Sequence, residues 1–228
     1  MELIKIFSKG INFLLGGLLI KKHVFISNSL EYLGRERIID HNYFDYIRLA
    51  TLELVSFEIN QKGLQGNIAE LGVYKGKFAR YMNQYFPERL FYLFDTFEGF
   101  DKRDTISDTQ KNFSSGDQDF SDTSVADVLK RMPFPQKCKP VIGFFPESAK
   151  NLDDQFVFVS LDADLFEPIY QGLLFFYPKL VRGGYIFIHD FNNDGYKGAR
   201  QAVEQFCKEQ NINFLPVPDL GGSAIIMK

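Results

Sequence analysis

The sequence predicts an α/β fold: a mostly parallel sheet with helices on both faces and an antiparallel hairpin at the C terminus. Short apolar segments alternate with helix-like segments from about residue 67 to residue 208. The strand-like segments are apolar along their whole length, which is typical of parallel strands buried on both faces. Beyond residue 213, two short strand-like segments flank a pair of glycines, a pattern typical of a hairpin.

The elements are predicted in a regular order along the chain. A buried helix is expected from about residue 43 to residue 59, and the glycines at 63 and 66 end it. Seven strands are expected, at residues 67–71, 90–94, 139–145, 155–161, 185–188, 214–217 and 224–227. Later helices are expected at residues 77–86, 122–132, 168–180 and 198–208, and the polar residues 96–120 are expected to form a long loop.

Composition excludes several classes of protein. The 228 residues include 26 Lys and Arg and 29 Asp and Glu, so the net charge is −3. This balance argues against general nucleic-acid binding, which needs a basic face. Cys138 and Cys207, the two cysteines, are too few for a disulfide framework or a zinc cluster and suit a reducing compartment. We therefore expect a cytoplasmic protein that does not bind nucleic acid.

The chain contains 25 Phe and no Trp, and the position of each Phe predicts its role. Most of them fall on predicted strands and covering helices, where they are expected to fill the core. A smaller group falls on loops at the strand ends and is a candidate wall for a ligand pocket: Phe97, Phe100, Phe120, Phe166 and Phe191.

We divide the chain into an N-terminal helical prefix, residues 1–62, and a ligand-binding domain, residues 63–228. The apolar run at residues 11–20 is half the length needed to span a bilayer, so no transmembrane segment is predicted. Lysines flank this run, which favours an amphipathic helix. Three partners for it remain open, namely the domain itself, a partner subunit in a homodimer, or a membrane surface.

Acidic residues follow four of the predicted strands. These strand ends carry Glu70 with Gly72, then Asp95, Asp162 and the pair His189–Asp190. Ligands of open α/β sheets bind beyond the carboxyl ends of the strands. The sequence therefore predicts a ligand site on one acidic rim of the sheet.

The first two strand ends favour a nucleoside ligand. Gly72 and Gly76 allow a close approach of the backbone to a ligand, although the segment E-L-G-V-Y-K-G is not a G-x-G-x-x-G fingerprint. Asp95 lies 25 residues after Glu70, at the end of the next strand, where a carboxylate can accept both hydrogen bonds of a ribose diol. A plain strand-to-helix turn with a capping Asp is the alternative.

The other two strand ends favour a cation. Asp162 and His189 lie 27 residues apart at the ends of successive strands, and such ends are neighbours when the strands pair. Carboxylates gathered in this way are costly unless they are neutralised, as a divalent cation would do. The alternative is that Asp162 and Asp190 only cap helices.

Six ordered segments between residues 66 and 206 resemble the macrocin O-methyltransferase family (TylF/MycF type) of class I S-adenosylmethionine-dependent methyltransferases. They are the turn at residues 70–76, D-T-F-E-G-F at 95–100, F-S-D-T-S-V at 120–125, L-D-A-D-L-F at 161–166, the segment 183–191, and A-V-E-Q-F at 202–206. The resemblance implies a Rossmann-like methyltransferase fold with a seven-stranded sheet.

The resemblance also implies roles for individual residues. Asp162 is expected to be the catalytic base, to lie against the cofactor and to ligate a metal together with the positions of His189 and Asp190. Asp95 is expected to bind the ribose hydroxyls. The remaining cofactor-binding residues implied by the resemblance are Glu70, Gly72, Gly76, Thr96, Ser121 and Asp122.

One departure from the family bears on the metal. The family usually has Asp-Asp where this chain has His189–Asp190, and Mg²⁺ prefers oxygen ligands whereas His suits transition metals. The expected metal is Mg²⁺ or Mn²⁺, and three alternatives follow from His189: the metal is softer (Mn²⁺, Fe²⁺ or Zn²⁺), His189 sits beside the metal, or no metal binds. Ala163 and Phe166 also replace the family's usual Gly and Tyr.

The expected activity is S-adenosylmethionine-dependent O-methylation, assisted by a divalent metal, of a hydroxyl in a sugar or sugar-containing small molecule. Residues 101–119 and the prefix are the expected lids over the acceptor. Two other functions remain open. A degenerate homologue would bind the nucleoside without catalysis, and an NAD-dependent oxidoreductase would use the same fold but lacks its third glycine here.

Overall fold

The computed structural model describes residues 2–21 and 45–228. The chain divides into two compact units, Met1–Asp40 and His41–Lys228. Residues 22–44 of the predicted prefix, with the predicted helix start at Tyr43, lie outside the described residues.

The described part of the first unit is one helix, α1, at Glu2–Ile20. Several of its large apolar side chains are exposed, with Phe13 at 89% and Leu14 at 79%. The helix confirms a helical piece in the prefix. Among the described residues, no helix is both long enough and apolar enough to cross a membrane.

The second unit is built on a sheet in which the described residues form seven strands. The strands are β1 Asn67–Leu71, β2 Phe91–Asp95, β3 Cys138–Ile142, β4 Phe156–Leu161, β5 Leu180–Ile188, β6 Leu215–Val217 and β7 Ser223–Met227. Their order across the sheet is β3-β2-β1-β4-β5-β7-β6. The first five strands in this order are parallel, whereas β7 pairs antiparallel with both β5 and β6. The predicted mixed sheet and terminal hairpin are therefore confirmed.

Helices cover both faces of this sheet. They are α2 Tyr46–Gln61, α3 Lys77–Tyr85, α4 Lys102–Gln110, α5 Val125–Arg131, α6 Phe166–Lys179 and α7 Lys197–Gln210. One core cluster packs α6 and α7 against one face, and a second packs α2 and α3 against the other. Because one core cluster lies on each face of the sheet, the apolar strands are buried on both faces.

Helix α2 belongs to the core of the second unit. Its Leu49, Leu52 and Ile59 are buried in the cluster that also contains Phe78 of α3. The division between the compact units falls after Asp40, whereas the sequence placed its boundary at residue 62. A lid or oligomerisation role for residues 1–62 stays a prediction.

The expected long loop at residues 96–120 is wrong in one respect, because it contains helix α4. Asp101 caps the helix by accepting a hydrogen bond from the Arg103 backbone N–H at 2.9 Å. The face that α4 buries carries acids, Asp104 and Asp108, instead of an apolar stripe. Asp108 accepts a hydrogen bond from the backbone N–H of Phe166, at the start of α6. A helix whose buried face is acidic lacks the apolar periodicity by which helices are predicted from sequence.

Strand register brings the predicted site residues to one edge of the sheet. Leu161 of β4 is opposite Ile188 of β5, so that Asp162 and His189 leave neighbouring strands side by side. Likewise, Leu71 of β1 is opposite Phe94 of β2, which places Gly72 beside Asp95. The predicted clustering of acidic residues at the strand ends is therefore confirmed.

Candidate active site

A cavity of about 470 Å³ lies at the carboxyl ends of β1, β2, β4 and β5. A volume of this size suits a small-molecule ligand. Seven of the predicted site residues line it: Glu70, Gly72, Asp95, Thr96, Asp162, His189 and Asp190. The structure therefore brings most of the predicted set together around one space.

Gly72 is required where the loop after β1 crosses the end of β4. It has a φ of +86°, and a Cβ atom added there would lie 2.0 Å from the carbonyl oxygen of Asp162. A side chain cannot occupy that space, and L-residues rarely adopt that φ. Gly72 therefore sets how closely the glycine turn approaches the Asp162 backbone.

Asp95 holds the glycine turn in place. Its Oδ2 accepts hydrogen bonds from the backbone N–H groups of Val73 and Tyr74, each at 2.8 Å. Its Oδ1 accepts one from the backbone N–H of Phe97 at 2.7 Å. The carboxylate is thus fixed at the cavity wall by three backbone donors. Its contact with a ribose stays a prediction.

Glu70 is a buried acid at the cavity wall whose partners are incomplete. It is 1% exposed, and its Oε2 has no hydrogen-bond partner among the described residues. Burial, together with the nearby charge of Asp162, raises the pKa of Glu70 well above its ordinary value. A buried carboxyl group with an unsatisfied oxygen beside a cavity is suited to receive a cationic group of a ligand.

Asp162 is paired with two basic side chains. Arg48 donates from Nη2 to Asp162 Oδ2 at 2.9 Å, and His189 Nδ1 lies 3.1 Å from Asp162 Oδ1. Burial alone would raise the pKa of Asp162, but the charges of Arg48 and His189 outweigh burial and hold it well below its ordinary value. Asp162 is therefore ionised and oriented on both oxygens.

Arg48 is a site residue that the sequence analysis missed. It comes from α2, is 5% exposed, and places its guanidinium 3.8 Å from the centroid of the Phe78 ring. This helix was assigned to the prefix, and it contains no recognisable motif. The available signal was the one arginine of a helix predicted to be buried, since a buried Arg requires a carboxylate or similar partner.

Both ring nitrogens of His189 are engaged. Nδ1 lies 2.9 Å from Asp190 Oδ2, and Nε2 lies 2.9 Å from the carbonyl oxygen of Leu220. Burial would lower the pKa of His189, but the neighbouring carboxylates Asp162 and Asp190 outweigh it and raise the pKa to about 11. His189 is therefore a cation that donates on both sides.

The predicted metal ligands converge, but they already bind one another. Asp162, His189 and Asp190 each offer an atom within 4.8 Å of the others. However, Arg48 and His189 occupy the oxygens of Asp162, and Asn193 Nδ2 donates to Asp190 Oδ1 at 2.7 Å. A dication would have to displace these donors next to a guanidinium, so the donor set as arranged does not fit a divalent metal.

Three predicted cofactor residues do not line the cavity. Gly76 immediately precedes α3, and a Cβ atom there would press on Val128 of α5 and on Met132, which follows that helix. Asp122 is exposed, accepts a hydrogen bond from the Tyr74 hydroxyl at 2.6 Å and pairs with Lys75. Ser121 lies beside it and is also exposed. Asp122 thus contacts Tyr74 and Lys75, and these two residues line the cavity.

The predicted aromatic wall is only partly present. Phe100 and Phe120 line the cavity and contact each other edge to face, with ring centroids 5.0 Å apart. The prediction is wrong for Phe166 and Phe191, which are buried in the core instead. Phe97 packs against the other core cluster. The position of a loop in the sequence does not reveal towards which side its side chains turn.

Helix α4 and the residue that caps it contribute acidic side chains to the wall of the cavity. Asp101 and Asp104 both line it. Burial, with the charges of Asp101 and Glu167, raises the pKa of Asp104 to about 7. Asp164, which also lines the cavity, likewise has a raised pKa, caused first by burial and then by Asp162 and Asp190. The cavity is therefore rich in carboxyl groups that can form hydrogen bonds in either protonation state.

Comparison with known proteins identifies the family. The model of the TylF macrocin-O-methyltransferase family matches residues 39–226, most of the chain. The chain belongs to this family. It is therefore an S-adenosylmethionine-dependent O-methyltransferase with the Rossmann-like fold that the sequence predicted. A comparison with curated protein sequences finds no match.

Solved structures of methyltransferases share the fold. The O-methyltransferase NovP is 17% identical, with a TM-score of 0.64 and 79% of each chain covered. The calicheamicin methyltransferase CalS11 is 19% identical, with a TM-score of 0.64, 79% of this chain covered and 78% of that one. A putative caffeoyl-CoA O-methyltransferase from Staphylococcus aureus is 15% identical, with a TM-score of 0.54, and the alignment covers 100% of this chain and 97% of that one.

Proposed function

We propose that this TylF-family enzyme transfers the methyl group of S-adenosylmethionine to a hydroxyl of a sugar or sugar-containing small molecule. The observation that carries the proposal is the placement of Glu70, Asp95 and Asp162 on neighbouring strand ends around one cavity. Sites of this kind form at the carboxyl edge of α/β sheets.

The cofactor half of the site consists of Glu70, Gly72, Asp95 and Thr96, which line the same end of the cavity. These residues fit S-adenosylmethionine, because the unsatisfied Oε2 of Glu70 offers an acceptor to the ammonium of its methionine part. Asp95 offers its carboxylate to the ribose, and Gly72 leaves room for close approach. Gly76 and Ser121 lie outside the cavity lining, and Asp122 acts from behind this wall through Tyr74 and Lys75, which it holds.

Asp162 is the proposed catalytic base. The bound cofactor supplies an electrophilic methyl group on a sulfonium. Asp162 accepts a hydrogen bond from the acceptor hydroxyl and takes its proton while the bond from oxygen to the methyl group forms. A hydroxyl oxygen becomes far more acidic as it gains a methyl group, so a carboxylate of low pKa is sufficient. Arg48 and His189 keep that carboxylate in position.

A saccharide acceptor is supported by further polar side chains that line the cavity. Asp101, Asp104 and Tyr196 line it and can form hydrogen bonds with hydroxyl groups. Among proteins of the same fold, CalS11 is described as a TDP-rhamnose 3′-O-methyltransferase. A screen of nucleotide sugars and small glycosides, monitored by S-adenosylhomocysteine formation, tests this part of the proposal.

Several finer expectations remain predictions. Assistance by Mg²⁺ or Mn²⁺ at Asp162, His189 and Asp190 is one of them, and the engaged donor atoms weigh against it. A cytoplasmic location is supported by the two free thiols, Cys138 and Cys207. A homodimer is supported by the exposed apolar residues of α1, and light scattering of the full-length protein tests it.

Calorimetric titration with S-adenosylmethionine tests the proposal as a whole. We expect saturable binding, with S-adenosylhomocysteine competing for the same site. Absence of binding at millimolar ligand would sink the proposal. Binding without transfer to any acceptor of the screen would favour the alternative of a degenerate nucleoside-binding homologue, for which the replacement of an Asp by His189 is the motivating observation.

A further inference from the structure

We propose that Arg48 takes the place of a divalent metal in this active site, so that methyl transfer proceeds without one. The inference rests on the proposed function, because it concerns the same Asp162 carboxylate. It departs from the expectation that a metal neutralises the acidic rim.

The Arg48 guanidinium is placed to neutralise Asp162. It lies 2.9 Å from Asp162 Oδ2 and 3.5 Å from the hydroxyl oxygen of Ser160, so it reaches the end of β4 from outside the sheet. The side chain of Arg48 is 6% exposed and that of Asp162 is 23% exposed. At this distance and depth, a fixed positive charge already balances the carboxylate that a metal would ligate.

Both ring nitrogens of His189 are already engaged by oxygen atoms of the protein. His189 has Nε2 on the carbonyl oxygen of Leu220, and its Nδ1 lies between Asp190 Oδ2 at 2.9 Å and Asp162 Oδ1 at 3.1 Å. A nitrogen at hydrogen-bond distance from two carboxylate oxygens presents a proton to them and no lone pair to a metal. The same atom cannot serve both purposes.

The Asp45 carboxylate connects the two basic residues. Asp45 accepts from the backbone N–H of Arg48 at 3.1 Å and from that of Leu220 at 3.2 Å. The carbonyl oxygen of Leu220 accepts the hydrogen bond from His189 Nε2. Arg48 and His189 are therefore fixed by one hydrogen-bond network. Such a network is expected for permanent partners of Asp162, whereas exchangeable counterions would not be held in this way.

The proposed step balances without a metal. The bond between the sulfonium sulfur and the methyl carbon breaks, and its electron pair stays on sulfur. A lone pair of the acceptor oxygen forms the new bond to carbon, and the hydroxyl proton passes to Asp162 and then to water. Arg48 is a positioning residue in this step, because it holds the carboxylate and does not touch the reacting atoms.

Metal removal from the full-length enzyme tests the proposal. We expect turnover in EDTA to stay within about twofold of turnover with added Mg²⁺ or Mn²⁺. Equilibrium dialysis should show no Mn²⁺ bound at 100 µM metal, with or without S-adenosylmethionine. Turnover that falls more than tenfold in EDTA and returns with metal, or one equivalent of bound Mn²⁺, would overturn the proposal. Failure of cofactor binding would refute the proposed function instead, and the dialysis result separates the two.

Substitution of Arg48 provides the second test. We expect Arg48→Met to lower kcat about 100-fold in EDTA while the Kd for S-adenosylmethionine changes less than threefold. Arg48→Lys should recover at least a tenth of wild-type turnover, because it restores the charge. The matched control is Lys62→Met, which removes an exposed cation that pairs with Glu58 at the end of the same helix. Wild-type turnover in Arg48→Met would overturn the proposal, and the metal measurements on the wild type remain decisive if that variant does not fold.

Discussion

The two halves of the acidic rim differ in the partners of their carboxyl groups. Glu70, at the end of β1, is buried with one oxygen unsatisfied, and no basic side chain is in hydrogen-bond contact with that oxygen among the described residues. Asp162, at the end of the adjacent strand β4, has a basic partner on each oxygen. The first carboxyl is prepared to receive a cationic ligand. The second is already compensated and is available to accept a proton.

Under the proposed function, this difference would let one short edge of the sheet receive a cation and also perform base chemistry. If Glu70 carried its own counterion, the methionine ammonium would have to displace it. If Asp162 lacked one, burial would raise its pKa and protonate it before reaction. The glycine turn is the physical link between the halves, because Gly72 lies directly against the carbonyl group of Asp162.

The largest expected effect is the loss of that link. Gly72→Ala should destabilise the protein by about 5 kcal/mol or prevent folding, because the new Cβ would lie 2.0 Å from the Asp162 carbonyl oxygen at a φ of +86°. Urea denaturation followed by circular dichroism measures the change. Gly63→Ala is the matched control, since its φ is also positive but no atom lies within 4 Å. Similar losses in both variants would show that backbone conformation, and not the close approach, is responsible.

The next effect separates catalysis from cofactor binding. Asp162→Asn should lower kcat about 1000-fold, or about 4 kcal/mol, because the amide cannot accept the proton. Its Kd for S-adenosylmethionine should stay within threefold of the wild-type value, as measured by calorimetry. Asp153→Asn, at an exposed carboxylate, is the control. An equal loss of turnover and affinity would place Asp162 in the cofactor-binding half.

Glu70 tests the other half. Glu70→Gln should weaken S-adenosylmethionine binding by about 30-fold, or about 2 kcal/mol, because it removes the charge that pairs with the ammonium. The pKa of Glu70 is raised by burial, so we also expect wild-type binding to release a proton and to strengthen as the pH rises. Calorimetry in buffers with different ionisation heats counts that proton. Equal proton release in Glu70→Gln and wild type would contradict this interpretation.

The smallest expected effect concerns Asp104 of α4, which also lines the cavity. Its pKa is about 7 in the folded protein, against 3.8 for an unperturbed Asp. The native state thus holds more protons between these values, and wild-type stability should fall as the pH rises from about 4 to about 7. Asp104→Asn should lose that fall and be about 1 kcal/mol more stable than wild type at pH 8, since water in the cavity screens part of the cost. Denaturation curves of wild type and Asp104→Asn at pH 5 and pH 8 test this. An unfolding free-energy difference between the two proteins that is the same at both pH values would refute the prediction.

Local patterns were sufficient for most of the fold. The strand-like segments, the helices between them and the acidic strand ends follow from residue patterns that span about ten positions. The pairing of successive strands then places Asp162 beside His189, as predicted. Helix α4 was missed because its buried face consists of aspartates, which local patterns assign to a loop.

The sequence by itself determined which strands end in Glu70, Asp95, Asp162 and His189, and hence the edge of the sheet where the candidate site lies. Tertiary structure alone decided which basic side chain neutralises Asp162. Arg48 and Asp162 are 114 positions apart, and they meet because Leu49, Leu52 and Ile59 pack α2 against the sheet. Such packing is non-directional and long-range, since apolar burial is proportional to area and leaves no motif that names its partner.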